Sequence, residues 1–134
     1  MSHFNRAVTS LTAATAAAVS LTLALSPPAW AGTSARAWSL PAQGYADGAC
    51  DLQFNDYGER FSLNDNLKDD AGCFGEVMVD GIWRGDMYNS KGAGTTVEYN
   101  YDFVEGAIVQ FAVCVRDNGE TRSRTCSNWK KATA

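Results

Sequence analysis

Carboxylates are the side chains of this chain that offer the most chemistry. Residues 32–134 contain 15 Asp and Glu but no histidine, because the single histidine of the chain is His3. Without histidine, this part of the sequence has no Ser-His-Asp or Cys-His catalysis and no histidine-based metal site. A carboxylate pair remains, and Glu76 is the candidate, because apolar neighbours would raise its pKa toward that of a general acid. A structural Glu76 paired with an arginine is the simpler interpretation, so we predict no catalytic residue.

An acidic turn offers a second chemistry, the coordination of a cation. Asp65, Asp69 and Asp70 lie in the sequence NDNLKDDAG, and calcium binds carboxylate oxygens of this kind. Their spacing does not match that of an EF-hand loop, which favours a solvated acidic turn. We therefore predict no bound metal and no cofactor.

A third group of side chains is suited to binding. Arginine and tryptophan are frequent at binding hot spots, and Arg122, Arg124 and Trp129 are close in sequence. Charges on an outer strand also prevent edge-to-edge aggregation, which is the simpler interpretation of the two arginines. The candidate binding residues are Trp83, Met87, Glu76, Arg122, Arg124 and Trp129.

Four cysteines, all beyond residue 31, indicate a disulfide framework in an exported chain. A tight turn at Asn118-Gly119 would separate Cys114 from Cys126 by about 10 Å along the strands, which is too far for a disulfide. A longer loop, formed by the polar sequence DNGETRS, places them opposite each other. We predict the pairs Cys114–Cys126 and, by remainder, Cys50–Cys73, although four cysteines allow three connectivities.

The N-terminal sequence predicts export. Residues 7–25 form an uncharged, largely apolar run, and Ala29 to Ala31 match the small-x-small pattern of a signal-peptide cleavage site. A membrane anchor is the alternative, but Ser and Thr interrupt the run and no basic stop-transfer segment follows. The predicted organisation is a cleaved signal peptide at 1–31, a flexible arm at 32–46 and a single β domain at 47–131.

Alternation with period two predicts an all-β fold. ACDLQF places Cys50, Leu52 and Phe54 on one face, and the segments ERFSLND, TTVEYNYDF and AIVQFAVCV alternate in the same way. About seven short strands separated by turn signals predict a small antiparallel β-sandwich, or a partly open barrel, stapled by disulfides.

The sequence GEVMVDGIWRGDM predicts a hairpin that carries Glu76. Asp80-Gly81 is typical of a two-residue type I′ turn, which places Met78 opposite Trp83 and Glu76 opposite Gly85. One face of this hairpin is the more apolar, so we expect it to point into the core. That face comprises Phe74, Glu76, Met78, Trp83 and Met87.

Several segments resemble small secreted four-cysteine β proteins of actinomycetes such as Streptomyces. The similarity rests on the alanine-rich signal peptide, the four cysteines and the sequences FAVCVRD, TCSNW and DGIWRGDMYNSKGAGTT. Proteins of this group have no known activity as a class. The resemblance implies the fold and the export of the chain, but no catalytic or binding residue.

The expected function is binding outside the cell. Residues 32–134 carry 10 Lys and Arg against 15 Asp and Glu, and this acidity argues against a nucleic-acid partner. We predict a secreted monomer, without a membrane anchor after cleavage, that binds an extracellular protein or a cell-surface glycan. The alternatives are a small carboxylate-dependent hydrolase and a self-associating envelope protein.

Overall fold

Two antiparallel sheets pack face to face in the computed structural model, which describes residues 31–134. The strands are β1 (Ala35–Trp38), β2 (Cys50–Asn55), β3 (Arg60–Asp65), β4 (Gly72–Val79), β5 (Ile82–Asn89), β6 (Thr95–Asn100), β7 (Ile108–Asp117), β8 (Glu120–Thr121) and β9 (Lys130–Thr133). One sheet has the order β1-β2-β3-β6, and the other has the order β5-β4-β7-β8, with β9 also paired to β7. The predicted antiparallel β-sandwich is confirmed.

The boundaries of the domain differ from the prediction. The expected flexible arm at 32–46 contains β1, which pairs with β2 and buries Ala37 completely. Sequence reasoning missed this strand because its inward residues are alanines, which resemble the surrounding loop composition. At the other end, β9 continues past residue 131 to Thr133. The predicted signal peptide at 1–31 lies outside the described residues, apart from its last alanine.

The core fills the space between the sheets. Phe54, Phe61 and Phe111 are fully buried, and their ring centroids lie 4.9 to 6.4 Å apart. Aromatic truncation in such a core costs about 3–5 kcal/mol. At Gly75 the packing of the two sheets leaves no room for a side chain, because an added methyl group would lie 2.9 Å from Cδ2 of Leu52.

The β4–β5 hairpin keeps its predicted turn and the predicted pairing of Met78 with Trp83, but Glu76 lies opposite Asp86 and not Gly85. Asp80 and Gly81 have φ angles of 51° and 76°, as a type I′ turn requires. A β-bulge between Val77 and Met78 then shifts the pairing. Its extra residue is accommodated at Gly85, whose φ of 137° is accessible to glycine.

The predicted core face of this hairpin is wrong, because it points away from the core, and of its five residues only Met87 belongs to the core. Val77 and Val79 point into the core, whereas Trp83 lies on the outside and is 51% exposed. Glu76 and Met78 share the outer face and are only partly buried. The inward-facing residues of β4 include Gly75. Because a glycine is not counted as an apolar residue in the alternation, the pattern favoured the wrong face.

Both predicted disulfides are present. Cys50–Cys73 has a Cα–Cα distance of 5.6 Å and links β2 to β4, so it joins the two sheets. Cys114–Cys126 has a Cα–Cα distance of 4.0 Å and lies on the outside of the five-stranded sheet. The described part of the chain contains no free cysteine.

The loop inside the second disulfide has a different shape from the predicted one. Asn118 and Gly119 form the tight turn that the register argument rejected, and β8 pairs with the end of β7. A 3-10 turn at Ser123–Thr125 follows and takes up the additional residues. Because of this second turn, Cys126 still reaches Cys114.

Candidate binding face

The two sheets carry different outer faces. The outer face of the four-stranded sheet, the polar face, comprises Arg36, Trp38, Asp51, Gln53, Asn55, Arg60, Ser62, Asn64, Thr96, Glu98 and Asn100. The outer face of the five-stranded sheet, the aromatic face, comprises Phe74, Glu76, Met78, Trp83, Asp86, Tyr88, Gln110, Ala112, Cys114, Arg116 and Lys131. Strand alternation assigns these residues to their faces, and Trp129, which directly precedes β9, is assigned to the aromatic face by extending the alternation of that strand. A contiguous exposed patch of large apolar side chains is typical of a binding surface.

Cross-strand pairing arranges the aromatic face in three rows. Phe74 lies opposite Tyr88, Glu76 opposite Asp86, and Met78 opposite Trp83. Residues directly opposite have Cβ atoms about 4.5–5.5 Å apart. The first and third rows are four residues of β4 apart, which corresponds to about 13 Å. The carboxylate row therefore lies between two rows that each carry an exposed aromatic ring.

The aromatic side chains of this face differ in their exposure. Trp83, Tyr88 and Trp129 are 51%, 41% and 43% exposed, whereas Phe74 is 6% exposed. Phe74 is covered by Arg116, whose guanidinium carbon lies 5.2 Å from the ring centroids of both Phe74 and Tyr88. This cation–π arrangement holds Arg116 flat on the sheet.

Glu76 and Asp86 form a cross-strand pair of like charges. Neither makes an ion pair within residues 31–134, so the arginine partner expected for Glu76 is missing there. Burial raises the pKa of Glu76, and the negative charge of Asp86 raises it further. The pair lies on an open surface. Neither carboxylate lines the cleft formed mainly by residues 67–72 and 116–118 or the cleft beside residues 101–107, both of which are described below. The cleft that the hydrolase hypothesis requires is therefore not formed around these two carboxylates.

Three other predicted binding residues have different positions from those expected. Met87 is fully buried, so it belongs to the core. The guanidinium of Arg122 lies 2.8 Å from Oδ2 of Asp117, which also accepts a hydrogen bond from the Tyr45 hydroxyl at 2.9 Å. The Arg122 hydrogen bond, followed by that from Tyr45, lowers the pKa of Asp117. Asp117 thus joins Tyr45 of the N-terminal segment to Arg122 after β8, while Arg124 is exposed in the 3-10 turn.

Sequence reasoning missed three residues of the aromatic face. Asp86 and Tyr88 belong to the opposite face of a regular hairpin, and only the bulge brings them beside Glu76 and Phe74. A glycine within a strand pattern is the signal for such a bulge, and Gly85 provides it. Nothing in the sequence indicated the position of Arg116 over Phe74.

The polar face is stabilised by a buried carboxylate. Asp51 is fully buried and accepts hydrogen bonds from Nε of Arg36 at 2.7 Å and from Nδ2 of Asn64 and Asn66 at 2.8 Å each. The only large aromatic residue of this face, Trp38, lies under Arg36, whose guanidinium carbon is 4.3 Å from the ring centroid. These polar side chains are therefore engaged with one another.

Three clefts lie on the sandwich, and one of about 270 Å³ is formed by the β2–β3 turn and Asn100. The end cleft has a volume of about 470 Å³, is lined mainly by residues 67–72 and 116–118, and shares Tyr88 and Arg116 with the aromatic face. The opposite cleft, of about 250 Å³, lies between the β4–β5 turn and residues 101–107. Within residues 31–134, no group of three or more His, Cys, Asp or Glu side chains is arranged to hold a metal ion.

Comparisons with known proteins provide no relative. No family model matches the chain, and no curated protein or solved structure matches it. The resemblance to actinomycete proteins therefore stays a prediction. Within the described residues, no helix has the length and apolarity needed to cross a membrane.

Proposed function

We propose that this protein is secreted and binds a surface glycan through its aromatic face. The contrast between the two outer faces supports the proposal. The polar face has one large aromatic residue, Trp38, which lies under Arg36 and is 46% exposed, whereas the aromatic face has three exposed ones, Trp83, Tyr88 and Trp129. Exposed apolar surface costs about 25 cal/mol per Å² relative to burial, so a persistent aromatic patch indicates a partner that covers it.

A glycan fits the composition of this face. A sugar ring presents an apolar C–H surface, which packs against Trp83 or Tyr88, and hydroxyl groups, which donate hydrogen bonds to Glu76 and Asp86. The aromatic rows lie on both sides of the carboxylate row, so an extended chain of sugars meets both kinds of group. Small ligands are usually enclosed in a pocket, and this face is open, which favours a polymer.

Secretion belongs to the same proposal. Two disulfides in a chain of this size are consistent with an extracellular protein. The predicted signal peptide at 1–31 supports the same conclusion from the sequence. Glycans of a cell envelope are the polymers that such a protein meets first.

Retention on insoluble polysaccharides tests the proposal. The purified protein, with both disulfides intact, is mixed with peptidoglycan, chitin and cellulose, and the bound fraction is measured after sedimentation. The double variant Trp83→Ala/Tyr88→Ala is compared with Trp38→Ala, which removes a ring of similar exposure, 46%, from the polar face. We expect wild type and Trp38→Ala to be retained on at least one polymer and the double variant to be released.

Two results would contradict the proposal. In the first, none of the polymers retains the wild-type protein. In the second, Trp38→Ala loses retention as completely as the double variant. Sedimentation of the protein alone, measured over a range of concentrations, shows whether the aromatic face instead binds a second copy of the chain.

A further inference from the structure

Glu76 and Asp86 lie directly opposite each other on neighbouring strands, in the middle row of the aromatic face. Their Cβ atoms are therefore about 4.5–5.5 Å apart, and like charges at such positions destabilise a sheet. Burial raises the pKa of Glu76, and the negative charge of Asp86 raises it further. The pair therefore costs the folded chain stability unless a cation lies beside it.

The cations of the same sheet leave this pair uncompensated. Those cations are Arg84, Arg116, Lys130 and Lys131. Within residues 31–134, neither Glu76 nor Asp86 takes part in an ion pair with any of them. The polar face differs, because Nε of Arg60 lies 3.7 Å from Oε1 of the exposed Glu98. The carboxylate pair of the aromatic face is thus open to a cation from outside the chain.

Aromatic rings lie on both sides of the carboxylate pair. Trp83 belongs to the row on one side and Tyr88 to the row on the other, and each row is two residues of β4, or about 7 Å, from Glu76. Both rings are exposed, at 51% and 41%. Aromatic faces attract cations and also provide apolar contact area for the C–H surface of a sugar ring. A ligand with both an ammonium group and an apolar ring surface would contact both kinds of side chain.

We propose that the aromatic face selects glycans with free amino groups, whose ammonium groups bind to Glu76 and Asp86. This inference rests on the proposed function, because it takes a glycan as the ligand and adds the charge that the face prefers. A protonated amine forms charge-assisted hydrogen bonds with carboxylates, which are about twice as strong as those between neutral groups. Residues 32–134 carry 15 Asp and Glu against 10 Lys and Arg, so the domain as a whole also attracts a cationic polymer.

Two soluble oligosaccharides with the same backbone test this selection. The hexamers of glucosamine and of N-acetylglucosamine differ only in their amino substituents, so calorimetric titration of the purified protein in a weakly acidic buffer isolates the contribution of the ammonium groups. We expect the glucosamine hexamer to bind at least about tenfold more tightly. Glu76→Gln and Asp86→Asn should each reduce this affinity by about tenfold and leave the affinity for the N-acetylated hexamer almost unchanged.

A control variant separates the local charge of the pair from the overall charge of the domain. Glu98→Gln removes one negative charge from the polar face, and we expect it to bind the glucosamine hexamer as wild type does. An equal loss of affinity in Glu98→Gln, or no loss in Glu76→Gln, would overturn the inference. A lysine hexapeptide that binds as tightly as the glucosamine hexamer would also overturn it, because the face would then recognise charge without the sugar.

The same titrations distinguish this inference from the proposed function. Equal binding of the two hexamers by wild type would overturn the selection for amino groups and leave glycan binding intact. Binding of neither hexamer would also overturn the selection. The proposed function would fail with it only if no polysaccharide retained the protein in the sedimentation assay.

Discussion

The polar face and the aromatic face belong to one sandwich but differ in how far their side chains bond to one another. On the polar face, Asp51 accepts three hydrogen bonds and Trp38 lies under Arg36. On the aromatic face, Glu76 and Asp86 make no ion pair within residues 31–134. The aromatic face also has three large exposed aromatic side chains where the polar face has one. Both differences support the proposed role of the aromatic face in binding.

On each face an arginine lies over an aromatic ring, and the two arginines differ in the other contacts that they make. Arg36 lies over Trp38 and also binds Asp51, and that hydrogen bond raises its pKa. Arg116 lies over Phe74 and Tyr88 but makes no ion pair in the described part of the chain. The first arginine completes a closed network, whereas the second leaves a cation at the edge of the end cleft.

We expect the largest effect on stability from loss of the Cys114–Cys126 disulfide, which lies on the outside of the five-stranded sheet. Cys114→Ser should lower the free energy of unfolding by about 3 kcal/mol, because the bond closes a loop that the unfolded chain otherwise leaves open. The two cysteines are 12 residues apart in sequence. Urea unfolding of the single variants and of Cys114→Ser/Cys126→Ser should give equal losses, since all three lack the same bond. A double variant that costs twice as much would contradict this account.

On the polar face, we expect the free energy of unfolding to depend on the buried carboxylate of Asp51. Asp51→Ala removes the acceptor of three hydrogen bonds, and we expect the free energy of unfolding to fall by about 2 kcal/mol. The same variant should leave retention on polysaccharide unchanged, because Asp51 lies on the opposite side of the sandwich. Urea unfolding and the sedimentation assay measure the two effects. Reduced retention in a variant that remains folded would show that the polar face takes part in binding.

The aromatic face should show a pH dependence that originates at Glu76. The raised pKa of Glu76 means that the folded chain holds this proton to higher pH than the unfolded chain. Stability therefore falls as pH rises from the ordinary glutamate pKa of about 4.3 through the raised folded value. Glu76→Gln should match the wild-type melting temperature at pH 3 and exceed it at pH 7. Glu98→Gln on the polar face is the matched control, because its side chain is 52% exposed.

Much of the core was predictable, whereas the aromatic face was predictable only in part. Alternation in CDLQF and AIVQFAVCV identified Phe54 and Phe111 as core residues, because strand periodicity depends only on local sequence. The cysteine pairs were predicted correctly, although the tight turn that the separation argument rejected is present and the 3-10 turn after it brings Cys126 back to Cys114. The alternation could not show that Val77 and Val79 face the core, so the pattern alone assigned Trp83 to the wrong side, and the bulge at Gly85 then placed Asp86 and Tyr88 on the outer face.

Oxidation of the tryptophans tests the central claim most directly. Trp38, Trp83 and Trp129 are 46%, 51% and 43% exposed, so N-bromosuccinimide should modify them to similar extents in the free protein. Mass spectrometry of tryptic peptides then reports each residue separately. With saturating fragments of the polysaccharide that retains the protein, we predict protection of Trp83 and Trp129 and unchanged oxidation of Trp38. Protection of Trp38, or full oxidation of Trp83 in the bound state, would contradict the assignment of the aromatic face as the binding surface.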